Sequence, residues 1–193
     1  MATFAIECLE YGSISPADAR ALTELIAATW PPSDPAAIPR AIEDGTAGLL
    51  RPAQYDGPAA QRPRIFCLRH EQGKILSQSR VFPRAILTER GPLTVMGLGG
   101  VCTARSARGH GLGMILMRDT FGLVDSGAFA CSLFQTRVPS FYERLGARVV
   151  TNRFVNSLAV DPGARPFWDP ATMVYPRPFD WPEGTIDLLG AGY

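Results

Sequence analysis

A mixed α/β domain built on a single sheet is the fold class this sequence predicts. Three observations carry that expectation. Strand-like and helix-like segments alternate along the chain in the order strand, helix, loop, three strands, helix, strand, helix, strand. No segment repeats. A chain of 193 residues can bury one sizeable core but is short for two, so residues 1–193 are read as one domain.

Each element has its own signal. Phe4, Ile6 and Cys8 alternate imperfectly with Thr3, Glu7 and Leu9, which reads as a first strand. Ser15 and Pro16 stand where an N-cap and a first helical residue belong, and Leu22, Leu25, Ile26 and Thr29 follow at helical spacing until Pro31 and Pro32 stop the helix. Region 31–63 reads as a long proline-rich loop with one short helical candidate, Ile38 to Asp44, and is long enough to cover a site. Ile65 to Arg69 and Lys74 to Leu87 form two strands joined at Glu71-Gln72-Gly73, a hairpin turn, and Pro83 marks a bulge or an edge. Leu93 to Thr103 is the next strand. The helix from Gly111 to Ser126 turns Leu112, Ile115, Leu116 and Leu123 to one side. Phe129 to Phe134 reads as a strand, Pro139 to Leu145 as a short helix closed by Gly146, and Ala147 to Val160 as a further strand. The proline-rich extension 161–193 holds one late strand near Thr172 to Tyr175.

Composition removes several classes of function. Hydrophobic residues make up 46% of the chain, enough to offset the entropy lost on folding, and a net charge of +1 lacks the basic excess that nucleic acid demands. No apolar run reaches the roughly 18 to 20 residues of a bilayer span, and Glu7 and Glu10 interrupt the N-terminus where a signal peptide is basic and then apolar. A cytoplasmic protein with no membrane partner is expected. Cys8, Cys67, Cys102 and Cys131 are far apart and form no Cys-x-x-Cys pair, so they are expected as reduced, buried thiols and no metal site is anticipated.

The informative stretch is Arg108-Gly109-His110-Gly111-Leu112-Gly113, which follows a strand and opens an amphipathic helix. The first turn of a helix carries unpaired N–H groups and a positive dipole end, and glycines let a pyrophosphate approach them closely. A Walker A loop would need Gly-Lys-Ser/Thr, which does not occur. A dinucleotide fingerprint would need its third glycine one residue later and an acidic residue closing the next strand, which instead ends Leu133-Phe134-Gln135. A nucleotide is thereby disfavoured without being excluded, and coenzyme A is the alternative phosphate ligand.

Here the chain resembles the GNAT acyltransferases. Arg108-x-x-Gly111-x-Gly113 matches their Gln/Arg-x-x-Gly-x-Gly/Ala signature, Gly99-Gly100-Val101-Cys102-Thr103 sits where the family has its splayed strand, and Phe141-Tyr142-Glu143-Arg144-Leu145-Gly146 is similar to their aromatic-Tyr-x-x-x-Gly signature. Val174-Tyr175-Pro176 with Trp181-Pro182-x-Gly184-Thr185 is similar to the ending of bacterial nodulation N-acyltransferases and, more loosely, of aminoglycoside 2′-N-acetyltransferases. The resemblance implies a mostly antiparallel, twisted sheet with helices on both faces and splayed central strands. It implies transfer of an acyl group, acetyl by default, from acyl-CoA to a primary amine of a small molecule.

The resemblance also assigns roles. Backbone groups of Val101, Cys102 and Thr103 would pair with pantetheine, and the N–H groups of Gly109, Gly111, Leu112, Gly113 and Met114 would receive the pyrophosphate. Arg108 would add charge, or simply face solvent in a polar turn, and His110 is a helix-start residue within the same coenzyme-binding segment. Tyr142 would protonate the departing thiolate, though an aromatic packing a short helix onto the sheet fits the same residue. Many relatives place a glutamate on the central strand, where this chain has Met96-Gly97-Leu98-Gly99-Gly100. The base would then be water, a backbone carbonyl, or a carboxylate such as Glu89, Glu43 or Asp44. The missing carboxylate leaves open a catalytically silent acyl-CoA-sensing module. The glycines between 97 and 100 either leave room, which with the nodulation-like ending admits a longer-chain acyltransferase, or permit close approach of a neighbouring strand. Asp187 and the Tyr193 carboxylate could face a cationic acceptor if the tail folds back. Trp168, Phe167 and Trp181 read as packing residues. Oligomeric state is open, a homodimer included.

Overall fold

The computed structural model describes residues 3–162 and 164–193. Its main elements are β1 (Phe4–Glu10), α1 (Pro16–Thr29), α2 (Ile38–Leu50), β2 (Arg64–His70), β3 (Ile75–Thr88), β4 (Gly91–Thr103), α3 (Leu112–Asp125), β5 (Ser132–Thr136), α4 (Pro139–Glu143), β6 (Arg148–Val150), β7 (Arg153–Val155), β8 (Ala171–Tyr175) and β9 (Thr185–Asp187). The strands form one mixed sheet in the order β1-β2-β3-β4-β5-β8-β6, with β9 on β3 and β7 on β9. Pairings β1–β2, β2–β3, β3–β9, β5–β8 and β6–β8 are antiparallel, whereas β4–β5 and β7–β9 are parallel. The β4–β5 pairing is brief, with only Met96 opposite Ser132 and Gly97 opposite Leu133, as splayed central strands require. No helix among the described residues is long and apolar enough to cross a membrane.

The chain divides into two compact units, Met1–Val81 with Gly100–Thr120, and Phe82–Gly99 with Phe121–Tyr193. In the first unit, Ile14, Leu22, Leu25, Leu49, Ile65, Cys67, Ile75 and Cys102 form the core. Helix α1 starts as its sequence dictates: the Ser15 hydroxyl accepts the Asp18 amide at 3.1 Å and Pro16 occupies the first turn.

Region 31–63 is a correction to the expected loop, because α2 runs for 13 residues, to Leu50, beyond the expected Ile38 to Asp44. Gly45 and Gly48 look like helix breakers, but at Gly45 the missing side chain permits close packing on α1: a Cβ there would lie 2.5 Å from Thr23 Cγ2. Leu49, 1% exposed, adds burial that outweighs the poor glycine propensity.

The first strand also presents its faces differently from expectation. Glu7 and Leu9 stand opposite the buried Cys67 and Ile65, so they share the core-facing side, and Cys8 is exposed rather than buried. The hairpin after β2 forms as read, with Gly73 at φ 84° and the His70 amide donating to Lys74 O.

The second unit packs Ile86, Val95, Cys131, Leu133, Val150, Phe167, Val174, Trp181, Ile186 and Leu188. The expected strand Ala147 to Val160 is broken into β6 and β7 at Thr151 and Asn152. The break has a cause: the Asn152 amide donates to Pro182 O (3.0 Å) and Gly184 O (2.9 Å) and accepts the Trp181 indole N–H (2.7 Å). That clamp positions the segment leading into β9, an element with no signal in the local sequence. Strand β5 begins later than expected, at Ser132 rather than Phe129. On α3, Ile115 is 45% exposed, and the buried positions are Leu112, Leu116, Met117, Thr120, Phe121 and Val124.

Candidate coenzyme-binding site

All of the segment Val101–Met114 lies in the first unit. Gly100, at φ 59°, turns β4 just before Val101. The Ser77 hydroxyl donates to Cys102 O at 2.9 Å and lies 2.9 Å from the Thr103 hydroxyl, and the Ala104 amide donates to Leu76 O at 2.7 Å. Arg108 Nε donates to Thr103 O at 3.0 Å, tying the loop back to the strand end while Arg108 itself stays exposed.

The turn into α3 then follows. Gly109 (φ 83°) and Gly111 (φ 75°) occupy the left-handed region, with open space where a Cβ would stand. Leu112, 4% exposed, anchors the first helical residue in the core. Among the described residues, the N–H groups of Gly109 to Gly113 have no backbone acceptor, whereas Met114 N–H is already given to Gly111 O at 3.0 Å. Consecutive amides without backbone acceptors at the positive end of a 14-residue helix are an arrangement that suits an anion, and Arg105, Arg108 and His110 nearby are exposed.

The Cys102 thiol is 6% exposed, and burial pushes its pKa up to about 11 despite hydrogen bonding to Thr29 and the nearby Arg80 charge. It is thus a neutral thiol near pH 7 and is unsuited to carry an acyl group.

Tyr142 belongs to the second unit. It is 5% exposed on α4, with its ring 4.6 Å from that of Phe134 and edge-on to Phe141 at 4.8 Å. Pro139 starts this short helix and Gly146, at φ 92°, follows it. The room expected beside Gly97 is filled, because the Phe82 ring from β3 lies where a Gly97 Cβ would stand. Phe82 packs edge-on against Tyr193 at 4.9 Å, and the Tyr193 hydroxyl donates to Leu133 O at 3.0 Å.

The tail folds onto its own unit. Arg84 donates to Leu188 O and Ala191 O, and Gln135 Nε2 donates to Tyr193 O at 2.7 Å. Asp187 Oδ1 accepts the amides of Ser157 (3.0 Å) and Leu189 (2.9 Å), so this carboxylate secures backbone. Phe167 and Trp181 are buried, as packing residues should be, and Trp168 is 66% exposed. The other carboxylates considered as bases are exposed: Glu89 and Glu43 lie on the surface, and Asp44 sits 3.5 Å from Arg40. No group of metal-binding side chains occurs among the described residues.

Sequence reasoning overlooked the buried polar residues on both faces of β3. Ser77, Gln78 and Ser79 are all fully buried, and the signal was present as a run of polar residues, Ser77 to Arg80, inside a strand bounded by apolar ones.

Residues 10–150 match the family pattern of the GNAT acetyltransferase domain. Among solved structures, a GNAT family N-acetyltransferase (YhbS) from Escherichia coli in complex with CoA superposes with a TM-score of 0.58 at 16% identity, covering 99% of this chain and 94% of that one. An acyl-CoA N-acyltransferase from Pseudomonas aeruginosa gives 0.53 at 15% identity over 89% of this chain and 97% of that one. A GCN5-related N-acetyltransferase from Kribbella flavida gives 0.55 at 15% identity over 76% of this chain, which spans 34% of that longer protein. At these identities the likeness concerns the fold. No curated protein sequence matches the chain.

Proposed function

Because the chain belongs to the GNAT family of acetyltransferases, we propose that it binds acyl-CoA along Val101–Met114 and transfers the acyl group, acetyl by default, to a primary amine of a small molecule. The observation that carries this reading is the turn at Gly109 and Gly111, whose left-handed backbone leaves five successive amides without backbone acceptors among the described residues at the start of α3. Those of Gly111, Leu112 and Gly113 suit the pyrophosphate, with Arg108 adding charge. Strand geometry at Val101, Cys102 and Thr103 suits the amides of the pantetheine arm.

In the reaction, a neutral amine attacks the thioester carbonyl, a C–N bond forms, and the C–S bond breaks with release of CoA. Tyr142 is proposed to donate its phenolic proton to the departing thiolate, and the ammonium proton lost by the acceptor passes to water or a nearby base. No carboxylate occupies residues 96–100. That absence also supports a second reading, a module that binds acyl-CoA without turning it over. Incubation with acetyl-CoA and a panel of primary amines, followed by thiol detection, separates the two: amine-dependent release of CoA is expected. Stabilisation by CoA with no release from any amine would favour the sensing module, and absence of CoA binding by calorimetry would remove both.

A further inference from the structure

Among the described residues of the first unit, one buried cationic donor is left unpaired. Arg80 lies on β3 two residues after Gln78, so the two side chains share the face turned to α1, where Gln78 Nε2 donates to Leu22 O at 2.6 Å. Gln78 is fully buried and its Oε1 has no hydrogen-bond partner, and Arg80 Nε is likewise buried without one. Among the described residues no carboxylate forms an ion pair with Arg80. Two carboxylates of this layer, Glu7 and Asp18, are both held by Arg69 at 2.8 and 2.9 Å.

The stem of Arg80 runs beside Gly100, where a Cβ would lie 3.3 Å from Arg80 Cδ and 3.3 Å from Ile26 Cδ1. Glycine therefore lets the aliphatic stem of Arg80 lie close against the backbone of the residue preceding the proposed pantetheine strand. Tyr11 and Cys102 both feel the Arg80 charge. A half-buried guanidinium with an unsatisfied donor, beside an unsatisfied amide acceptor, is costly unless a ligand completes it.

We infer that Arg80 binds a carboxylate carried by one of the two reactants, with Gln78 Oε1 as an acceptor for a neighbouring N–H. This rests on the transferase reading. The carboxylate has two sources, an amino-acid acceptor or a dicarboxylic acyl donor, and the chemistry is the same for both.

The test compares wild type with Arg80→Gln and Arg80→Lys, using phenylalanine, glutamate and lysine beside their α-carboxamides with acetyl-CoA, and succinyl-CoA beside acetyl-CoA with the carboxamides. Wild type should favour the carboxylate-bearing reactant by about ten- to a hundredfold in kcat/KM, the weight of a charge-assisted hydrogen bond. Arg80→Gln should lose that preference through KM, Arg80→Lys should keep part of it, and the Kd for CoA should stay unchanged. Preference in the first arm assigns the acceptor, and in the second the donor. Indifference of wild type to the carboxylate in both arms, a preference surviving Arg80→Gln, or a weakened Kd for CoA as the main effect would each overturn the inference. If nothing is turned over, the transferase reading fails separately. Thermal stabilisation of the CoA-loaded protein by these amino acids, or by free succinate, then decides: present in wild type and lost in Arg80→Gln supports the site, and absent in wild type overturns it.

Discussion

Gly111 holds φ 75° in open space, so its role is conformational rather than steric. A β-branched residue there carries a left-handed penalty of about 1–2 kcal/mol, or turns its amide away. Gly111→Val should therefore raise the Kd for CoA about tenfold by calorimetry, and an unchanged affinity would detach the α3 turn from the coenzyme. Tyr142 is tested differently, since it is buried among Phe134 and Phe141 and serves packing whatever its chemistry. Tyr142→Phe keeps the ring. If the phenol is the acid, kcat should fall about a hundredfold or more with the Kd for CoA unaltered, and equal rates across the pH range would leave the residue a packing role. The motif at Arg108–Gly113 was readable because every residue in it acts within a few positions of chain. The occupant of the space beside Gly97 was not, because Phe82 arrives from another strand.

At the scale of elements, two contacts decide what the periodic pattern left open. Gly45 lets α2 approach α1, and Gly45→Val should push the helices apart at a cost of about 1–3 kcal/mol, seen as a lower urea midpoint. Asn152 joins the break between β6 and β7 to Trp181, Pro182 and Gly184. Asn152→Ala leaves the buried Trp181 indole N–H without its acceptor, so a loss of about 1–3 kcal/mol is expected, lowering Tm by several degrees in calorimetry. A melting curve matching wild type would mean that the clamp is idle. Local signals identified α1, the β2–β3 hairpin and the start of α3, whose caps and turns are made by their own residues. They misread 31–63 and 147–160, where packing against α1 and hydrogen bonds from the tail override the intrinsic preference.

The whole molecule carries its thiols in two states. Burial pushes Cys67 and Cys131 up to about 12 and Cys102 to about 11, from a usual 9.0, while Cys8 is exposed. Because the folded state holds these three protons above the pH at which the unfolded chain releases them, the stability they contribute is complete below pH 9 and is lost progressively between about 9 and 12. The slope is at most about 1.4 kcal/mol per pH unit for each thiol, and Cys131→Ala should reduce it by one proton. A denaturant series across that range reads the slope; an identical one in the variant would exclude this origin. A chromogenic disulfide should label one thiol of the native protein, at Cys8, and all four once it is unfolded.

What the sequence by itself determined is local: a capped first helix, a glycine-closed hairpin, and a strand leading through Arg108–Gly113 into α3, where backbone conformation follows from neighbouring residue types. Only the tertiary structure decided that β8 lies between β5 and β6, that β9 pairs with β3 and carries β7, that Phe82 covers Gly97, and that among the described residues the buried Arg80 Nε has no hydrogen-bond partner. Those outcomes depend on pairings between residues tens of positions apart. Their free energy comes from burial and hydrogen bonds that exist only after the chain has closed on itself, and such terms leave no periodic trace along it.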